Sequence, residues 1–144
     1  MPARRDNPYS SFNFIVDAGG EAIAGFSEVD LPGARIEAIE YREGADKTSA
    51  ARRLPGRVTY DDVVLRRGLT GGTELYDWFN AIREGVLDRR DVRITLLDEA
   101  RNPVYAWRLL RAWPTRYELG GLHALGNEVV VETLELAYES FDVD

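Results

Sequence analysis

Most of the chain alternates apolar and polar residues with the period of a β-strand, and only one segment has the period of a helix. A single helix is predicted over residues 73–84, because one apolar stripe has the spacing i, i+3, i+4, i+7: Leu75, Trp78, Phe79 and Ile82. Strands are predicted at residues 12–16, 22–29, 35–42, 58–66, 92–96, 104–110 and 128–141. Short turns between them favour a mainly β fold, an antiparallel β-barrel or sandwich with one flanking α-helix.

Several of these strands carry irregularities or two apolar faces. Gly25 inside the second strand suggests a bulge or a close backbone approach. Ile36 and Ile39 have opposite parities in the third strand, which also suggests a bulge. Pro114 is expected to end the sixth strand. Apolar residues on both faces are unusual for a half-buried sheet in a monomer. They indicate contact with neighbouring subunits, although helices or loops crossing the sheet could also cover the second face.

The length of 144 residues predicts a single domain, residues 1–144. Residues 1–10 are polar and contain two prolines, so a flexible arm is expected there. Residues 43–56 form a long polar stretch without a clear period, and structureless loops beyond ~12–15 residues are usually functional or disordered. No apolar run approaches the ~18 residues of a membrane span, and the N-terminus lacks a signal-peptide core. We therefore expect synthesis in the cytoplasm and no membrane insertion.

Catalytic and cofactor sites are not predicted. The chain has no cysteine and one histidine, His123, which excludes the common zinc motifs. The stretch RRGLTGG, residues 66–72, lacks the lysine of a phosphate-binding loop and is better interpreted as a strand end, a turn and a capped helix. No nucleophile elbow is present, and the net charge of −7 argues against a broad nucleic-acid-binding face. The sequence therefore predicts no enzyme, no metal and no cofactor.

Nine stretches in order resemble one known family and together cover almost the whole chain. They are NPYSSFNFIV, AGFSEV, IEYREG, RRLPG, LRRGLT, TELYDW, ITLLDEA, AWRLLRAWPTRYE and NEVVVETLELAYE. On these residues the chain resembles the tail-tube proteins of contractile phage tails and of phage-tail-like extracellular contractile injection systems.

The resemblance implies a fold related to the Hcp protein of type VI secretion and a structural role in a phage tail or tail-like particle. Such proteins form hexameric rings whose strands join into one inner barrel, and the rings stack into a tube. The implied partners are other copies of the chain, the sheath protein, baseplate proteins, tube-terminator proteins and a cargo in the lumen. The cargo would be DNA in a phage, or a protein effector in an injection system.

The expected contact residues follow from combining the resemblance with the pattern of charges. The loop 43–56 is expected to contact the next ring through polar residues and one apolar anchor: Glu43, Asp46, Arg52 and Arg53, with Leu54 and Pro55 as the anchor. Arg66 and Arg67 are interpreted as interface charges. Thr133, Glu135 and Glu139 share one strand face and are candidates for a lumen wall, where negative charge repels DNA phosphates.

Two other functions remain open at this stage. A baseplate or tube-initiator paralogue of the same family would form one ring and not stack. A monomeric β-barrel that binds a small ligand would contain an enclosed apolar pocket and would not self-assemble.

Overall fold

The computed structural model describes residues 7–10, 13–23, 25–44 and 52–144. The elements in that part of the chain are, in order, β1 (Phe14–Ala18), β2 (Glu21–Ile23), β3 (Phe26–Asp30), β4 (Gly33–Tyr41), β5 (Arg52–Asp61), β6 (Val63–Gly68), α1 (Glu74–Arg83), β7 (Arg90–Leu97), β8 (Pro103–Leu119), β9 (Val131–Ala137) and β10 (Ser140–Val143). The fold is mainly β and antiparallel with one helix over the described ranges, as the sequence predicts.

Eight of the strands form one antiparallel sheet in the order β2-β1-β7-β8-β9-β6-β3, and β10 pairs with β8 beside this path. The long strand β8 has 17 residues. Its first part pairs with β7 and β10, and its last part pairs with β9. Arg111, which lies two residues before the pairing with β9 begins, adopts a positive φ of 54°. Strand β8 therefore belongs to both halves of the sheet, of which one contains β1, β2, β7 and β10 and the other contains β3, β6 and β9.

The two halves share one hydrophobic core. Buried residues from β1, β6, β7, β8 and β9 pack in a single cluster with the helix. The helix contributes Leu75 and Trp78, both buried, and the Trp78 indole Nε1 donates a hydrogen bond to the Asp88 carbonyl at 2.7 Å. The prediction of an apolar helix stripe with Trp78 in the core is confirmed.

Three predicted strands are each divided in two, so their predicted continuity is wrong. The segment 22–29 breaks at Gly25, whose φ of +87° turns the chain, and β2 and β3 then lie at opposite ends of the sheet order. The segment 58–66 breaks at Asp62, which separates β5 from β6. The segment 128–141 divides into β9 and β10, which pair with different parts of β8. The alternation of apolar and polar residues alone does not show where a chain stops pairing with one strand and begins to pair with another.

Pro114 does not end the sixth predicted strand. β8 continues through it to Leu119, and the register with β9 shifts between Pro114 and Arg116. A proline cannot donate a hydrogen bond within a sheet, but a bulge leaves a position where none is needed. The irregular register therefore explains how β8 accommodates the proline.

Strands β4 and β5 form a separate two-stranded hairpin. Nearly all their residues are exposed or half-exposed. The Tyr138 hydroxyl donates to the Asp61 carbonyl at 2.6 Å and lies 3.4 Å from the Gly33 carbonyl, so it contacts both strands at the base of the hairpin. Since β6 begins directly after Asp61 and Asp62, this base lies at the end of the sheet where β6 starts and β9 finishes.

Candidate assembly surfaces

The residues predicted to contact the next ring lie on or beside the hairpin. Arg52, Arg53, Leu54 and Pro55 belong to β5, so the predicted loop 43–56 is wrong over residues 52–56. Glu43 follows β4 at the other side of the connection. Asp46 lies outside the described residues. The extended conformation of 52–56 results from antiparallel pairing with β4, in which Tyr41 faces Arg52 and Ile39 faces Leu54.

A bulge gives the hairpin apolar residues on both faces. The register shifts between Ile36 and Ala38, as the opposite parity of Ile36 and Ile39 predicted. Directly paired residues point to the same side of a sheet, so Ile36 and Val58 share one face. Beyond the shift, Ile39 and Leu54 share the other face. All four side chains are exposed, which makes both faces of the hairpin available to another surface.

Arg66 lies on the surface of the sheet, as an interface charge would. Its Nη1 atom is 2.9 Å from the Glu28 carboxylate and 3.2 Å from the Asp30 carboxylate of the neighbouring strand β3. Burial alone would lower the pKa of Arg66, but the hydrogen bonds and charges of Asp30 and Glu28 raise it overall. Because both ion pairs of Arg66 are solvent-exposed, its side chain remains accessible on the surface of strand β6.

Arg67 is buried inside the chain, with 4% of its surface exposed, and the prediction of an interface charge is wrong for this residue. Its Nε atom donates to Glu132 Oε1 at 2.6 Å, and its Nη2 atom donates to Glu74 at 3.1 Å. The Tyr117 hydroxyl donates to the second oxygen of Glu132. Successive strand residues point to opposite sides of a sheet, so Arg67 shares the buried side of β6 with Leu65.

This buried network connects the first turn of α1 to strands β6, β8 and β9. Burial and the hydrogen bond to Glu132 raise the pKa of Tyr117 to about 12. Burial alone would lower the pKa of Arg67, but its hydrogen bonds to Glu132 and Glu74 raise it overall. The Glu74 backbone N–H and the Arg67 guanidinium lower the pKa of Glu74. Tyr117 therefore stays protonated and Arg67 charged at neutral pH, and the network positions the helix on the sheet.

The three residues predicted to line the lumen lie in two different places, two of them on strand β9 and the third after it. Thr133 and Glu135 alternate with the buried Leu134 and Leu136 on β9, so they point to the side of the sheet away from the core. Glu139 follows β9, and its carboxylate lies 3.2 Å from Arg89 and 3.4 Å from Arg111.

The face of Thr133 and Glu135 is polar and carries paired charges. Arg116 of β8 lies 2.7 Å from Glu118 and 3.7 Å from Glu135. Arg66 is opposite Thr133 on the neighbouring strand. The helix packs on the core side of the same strands through Leu75, so this polar face and the helix lie on opposite sides of the sheet.

Sequence reasoning missed an apolar patch at the end of the sheet opposite the base of the hairpin. The loop 120–130 joins β8 to β9 and contains no strand. The Leu69 backbone N–H donates to the Val130 carbonyl at 2.9 Å, which holds the end of β6 beside this loop. We define the end patch by its exposed apolar members: Leu69, Leu119, Leu122, Leu125 and Val129. The leucines of the loop were visible in the sequence, but they follow no strand or helix period.

The described residues contain no group of three or more acidic, histidine or cysteine side chains that could hold a metal ion. In the part of the chain that the structure describes, the helix α1 is not long and apolar enough to cross a membrane.

Comparison with known proteins identifies the family. Residues 10–142 match the family model of the T4-like virus tail tube protein gp19. A chain in the cryo-EM structure of the anti-feeding prophage (AFP) baseplate is 28% identical, with a TM-score of 0.84 and coverage of 97% of each chain. A chain in the PVC sheath-tube complex, an extracellular contractile injection system in its extended state, is also 28% identical, with a TM-score of 0.84 over 95% of this chain and 91% of that chain.

A more distant match extends the likeness of the fold. Hcp1 from Flavobacterium johnsoniae is 14% identical, with a TM-score of 0.55 over 90% of this chain and 93% of that chain. No curated protein matches the chain.

The fold is thus the Hcp-like one that the sequence resemblance implied. The chain belongs to the tail tube protein family of phage tails and extracellular contractile injection systems. It is accordingly a structural component of a phage tail or tail-like particle.

Proposed function

We propose that the chain is the repeating subunit of an inner tube, which assembles as hexameric rings stacked into a conduit. A contracting sheath would drive this tube through a target envelope, and a protein effector or DNA would pass through its lumen. The role is mechanical and uses no catalysis or cofactor. The subunit is made in the cytoplasm and assembles with a baseplate, a sheath and a tube terminator.

The observation that carries this proposal is the exposed hairpin β4–β5. It forms its own small sheet, and its apolar side chains, including Ile36 and Leu54, lie exposed on both faces. Exposed apolar surface of this kind marks an interaction site, and unpaired strand edges favour association with another chain. Inter-ring contact through Arg52, Arg53, Leu54 and Pro55, with Glu43 beside them, would cover this surface. Asp46 remains part of the same proposal.

The polar face of the sheet suits the lumen wall. It lies opposite the helix, and its charges are held in pairs such as Arg116 with Glu118 and Arg66 with Glu28. Charged side chains that are already in ion pairs bind a passing cargo weakly, and the surplus of acidic groups on this face repels phosphate. We infer that Thr133 and Glu135 face the lumen. Glu139, which contacts Arg89 and Arg111 away from β9, is the weakest of the three lumen candidates.

Electron microscopy of the purified chain tests the proposed function. We expect hollow tubes of uniform width, or rings that stack when baseplate components are added. Monomers at every concentration, even with those components present, would contradict it. The AFP baseplate match makes a single baseplate ring the second candidate, and rings that never stack under these conditions would favour it.

Chemical labelling of assembled tubes tests the assignment of the lumen. The chain has no cysteine, so Thr133→Cys introduces a unique thiol, and Asp77→Cys on the exposed side of the helix is the matched control. A small maleimide should label both variants. A maleimide carried on a large polymer should label only the helix variant, and equal labelling of both by the large reagent would contradict the assignment.

A further inference from the structure

The two halves of the sheet face each other across the core. Phe14 of β1 and Ile94 of β7 line the same groove as Val29 of β3, which belongs to the other half. Residues of both halves also pack in the single core cluster. Where strands pass from one packed sheet to the other, the corner is made by a bulge or a bend. Since β8 belongs to both halves, the corner of this sheet lies within β8.

A bulge in β8 lies at this corner. Two residues of β8, Leu110 and Arg111, lie opposite the single residue Asp91 of β7. A bulge of this kind bends the strand and increases its twist. On the other side of β8, pairing with β10 ends at Leu110 and pairing with β9 begins at Trp113. The bulge therefore coincides with the place where β8 passes from one half of the sheet to the other.

The side chain of Asp91 compensates for the irregular backbone of the bulge. Arg111 has a φ of 54°, a left-handed conformation that costs free energy for every residue except glycine. A bulge also interrupts the regular hydrogen bonds between two strands. Asp91 Oδ1 accepts a hydrogen bond from the Arg111 backbone N–H at 3.1 Å, and the Asp91 carbonyl accepts one from the Gly19 N–H at 2.9 Å. Asp91 thus joins β7 both to the bulge and to the turn after β1.

The strand on the other side of the bulge makes weaker side-chain contacts. The Glu139 N–H donates to the Leu110 carbonyl at 2.9 Å. The Glu139 carboxylate lies 3.4 Å from Arg111 Nε and 3.2 Å from Arg89 Nη1. Both ion pairs are solvent-exposed, and such pairs contribute little to stability. The hydrogen bond from Arg111 to Asp91 is therefore the side-chain contact that holds the backbone of the bulge directly.

We propose that Asp91 is a positioning residue that sets the angle between the two halves of the sheet, and through this angle the width of the tube. The second step rests on the proposed function, because the half with β6 and β9 carries the face assigned to the lumen. The copies in a ring form a lumen of uniform width only when each presents this face at the same angle. A carboxylate that holds the bulge in one conformation gives every copy that angle.

Distances between spin labels on the two halves test the first step in the monomeric chain. The chain has no cysteine, so labels can be attached at Ile15→Cys on β1 and Thr133→Cys on β9. Asp91→Ala should shift or broaden the distance distribution measured by double electron–electron resonance. Asp91→Asn should restore it, because the amide oxygen can still accept the Arg111 N–H. Amide exchange at Arg111 should be about 3- to 10-fold faster in Asp91→Ala, as expected for the loss of one hydrogen bond.

Asp98→Ala is the matched control. Asp98 Oδ1 also accepts a backbone N–H, that of Asn102 at 2.8 Å, beside Arg101, which has a φ of 65°. This bond lies in the turn between β7 and β8 and not between the two halves, so its loss should leave the distances unchanged. Equal distance distributions for Asp91→Ala and Asp98→Ala would overturn the proposal. If circular dichroism shows that Asp91→Ala does not fold, Asp91→Ser takes its place, because its hydroxyl oxygen is one bond shorter in reach than the carboxylate.

Electron microscopy of assembled tubes tests the second step. Asp91→Ala should give tubes of variable width or incomplete rings, whereas Asp91→Asn and Asp98→Ala should give the width of the unmodified chain. Tubes of unchanged width from Asp91→Ala would overturn the link between angle and width and leave the tube function intact. Failure of the unmodified chain to assemble with baseplate components would instead refute the tube function, and the distances in the monomer would still decide the role of Asp91 at the corner.

Discussion

The adjacent arginines of β6 allow the buried network to be tested with matched substitutions. Arg67 lies inside the chain and Arg66 on its surface, and each contacts two carboxylates. Replacing Arg67 with methionine leaves the Glu132 carboxylate, 1% exposed, with the Tyr117 hydroxyl as its remaining partner in the network. Removing one member of a buried ion pair costs about 3–5 kcal/mol of stability. Replacing Arg66 removes exposed pairs, which are worth about 0–1 kcal/mol.

The unfolding free energy of Arg67→Met is therefore expected to lie about 2–5 kcal/mol below that of Arg66→Met. At about 2–4 °C per kcal/mol for a domain near this size, Arg67→Met should melt roughly 4–20 °C below Arg66→Met. Urea unfolding followed by tryptophan fluorescence measures the free energy, because Trp78 is buried in the folded core. The protein concentration must be low enough to keep the chain monomeric, since any self-association would add to the apparent stability.

A second substitution identifies the cause of the loss. Adding Glu132→Leu to Arg67→Met removes the unpaired buried charge, and we expect it to recover much of the lost stability because an apolar replacement of a buried pair is often neutral. Equal unfolding free energies for Arg67→Met and Arg66→Met would refute the reasoning. So would a double variant as unstable as the sum of the two single variants.

Three further predictions concern the core, the alkaline limit and the turn before β3. Leu75→Ala should cost about 2–5 kcal/mol in urea unfolding because the side chain is fully buried, whereas Leu87→Ala should cost little. Burial raises the pKa of Tyr117 and of Tyr138 to about 12, above the value near 10 of the unfolded chain, so stability should be full below pH ~10 and fall as the pH rises through about 12. The urea concentration at the midpoint of unfolding should fall less steeply with pH in that window after substitution of both tyrosines by phenylalanine. An unchanged slope would show that these two tyrosines do not cause the loss of stability. Gly25→Ala should cost about 1–2 kcal/mol at its φ of +87°, although no atom lies within 4 Å of the added carbon; a neutral effect would show that the turn relaxes.

The helix could be predicted from sequence because four apolar residues fit one stripe and no strand pattern competes with them. The divided strands could not, because a period-two pattern does not record which neighbour each residue pairs with. Gly25 gave a local signal, but its positive φ marks the break between β2 and β3, which pair at opposite edges of the sheet, and neither a bulge nor a close backbone approach is seen there. The break at Asp62 had a local signal that was missed, because two consecutive aspartates interrupt the alternation and the buried parity then begins with Val63 and Leu65.

The position of Arg67 was available in the sequence and was missed. Val63 and Leu65 have the same parity on β6, and that face is buried, so Arg67 follows them inward and needs the buried carboxylate of Glu132. The end patch was missed for the opposite reason. Leu122 and Leu125 lie in a glycine-rich loop without a period, and their exposure depends on where the loop leaves the sheet.

The shared strand β8 has a consequence for how the molecule unfolds. Its hydrogen bonds continue from β7 and β10 into β9 across the positive φ of Arg111. Neither half of the sheet can lose its ladder to β8 without disturbing the strand that supports the other half. A single cooperative transition should therefore be seen by every probe, with the slowest amide exchange along the middle of β8. A subunit built in this way keeps its shape or loses it as one piece, which suits the mechanical role proposed for it.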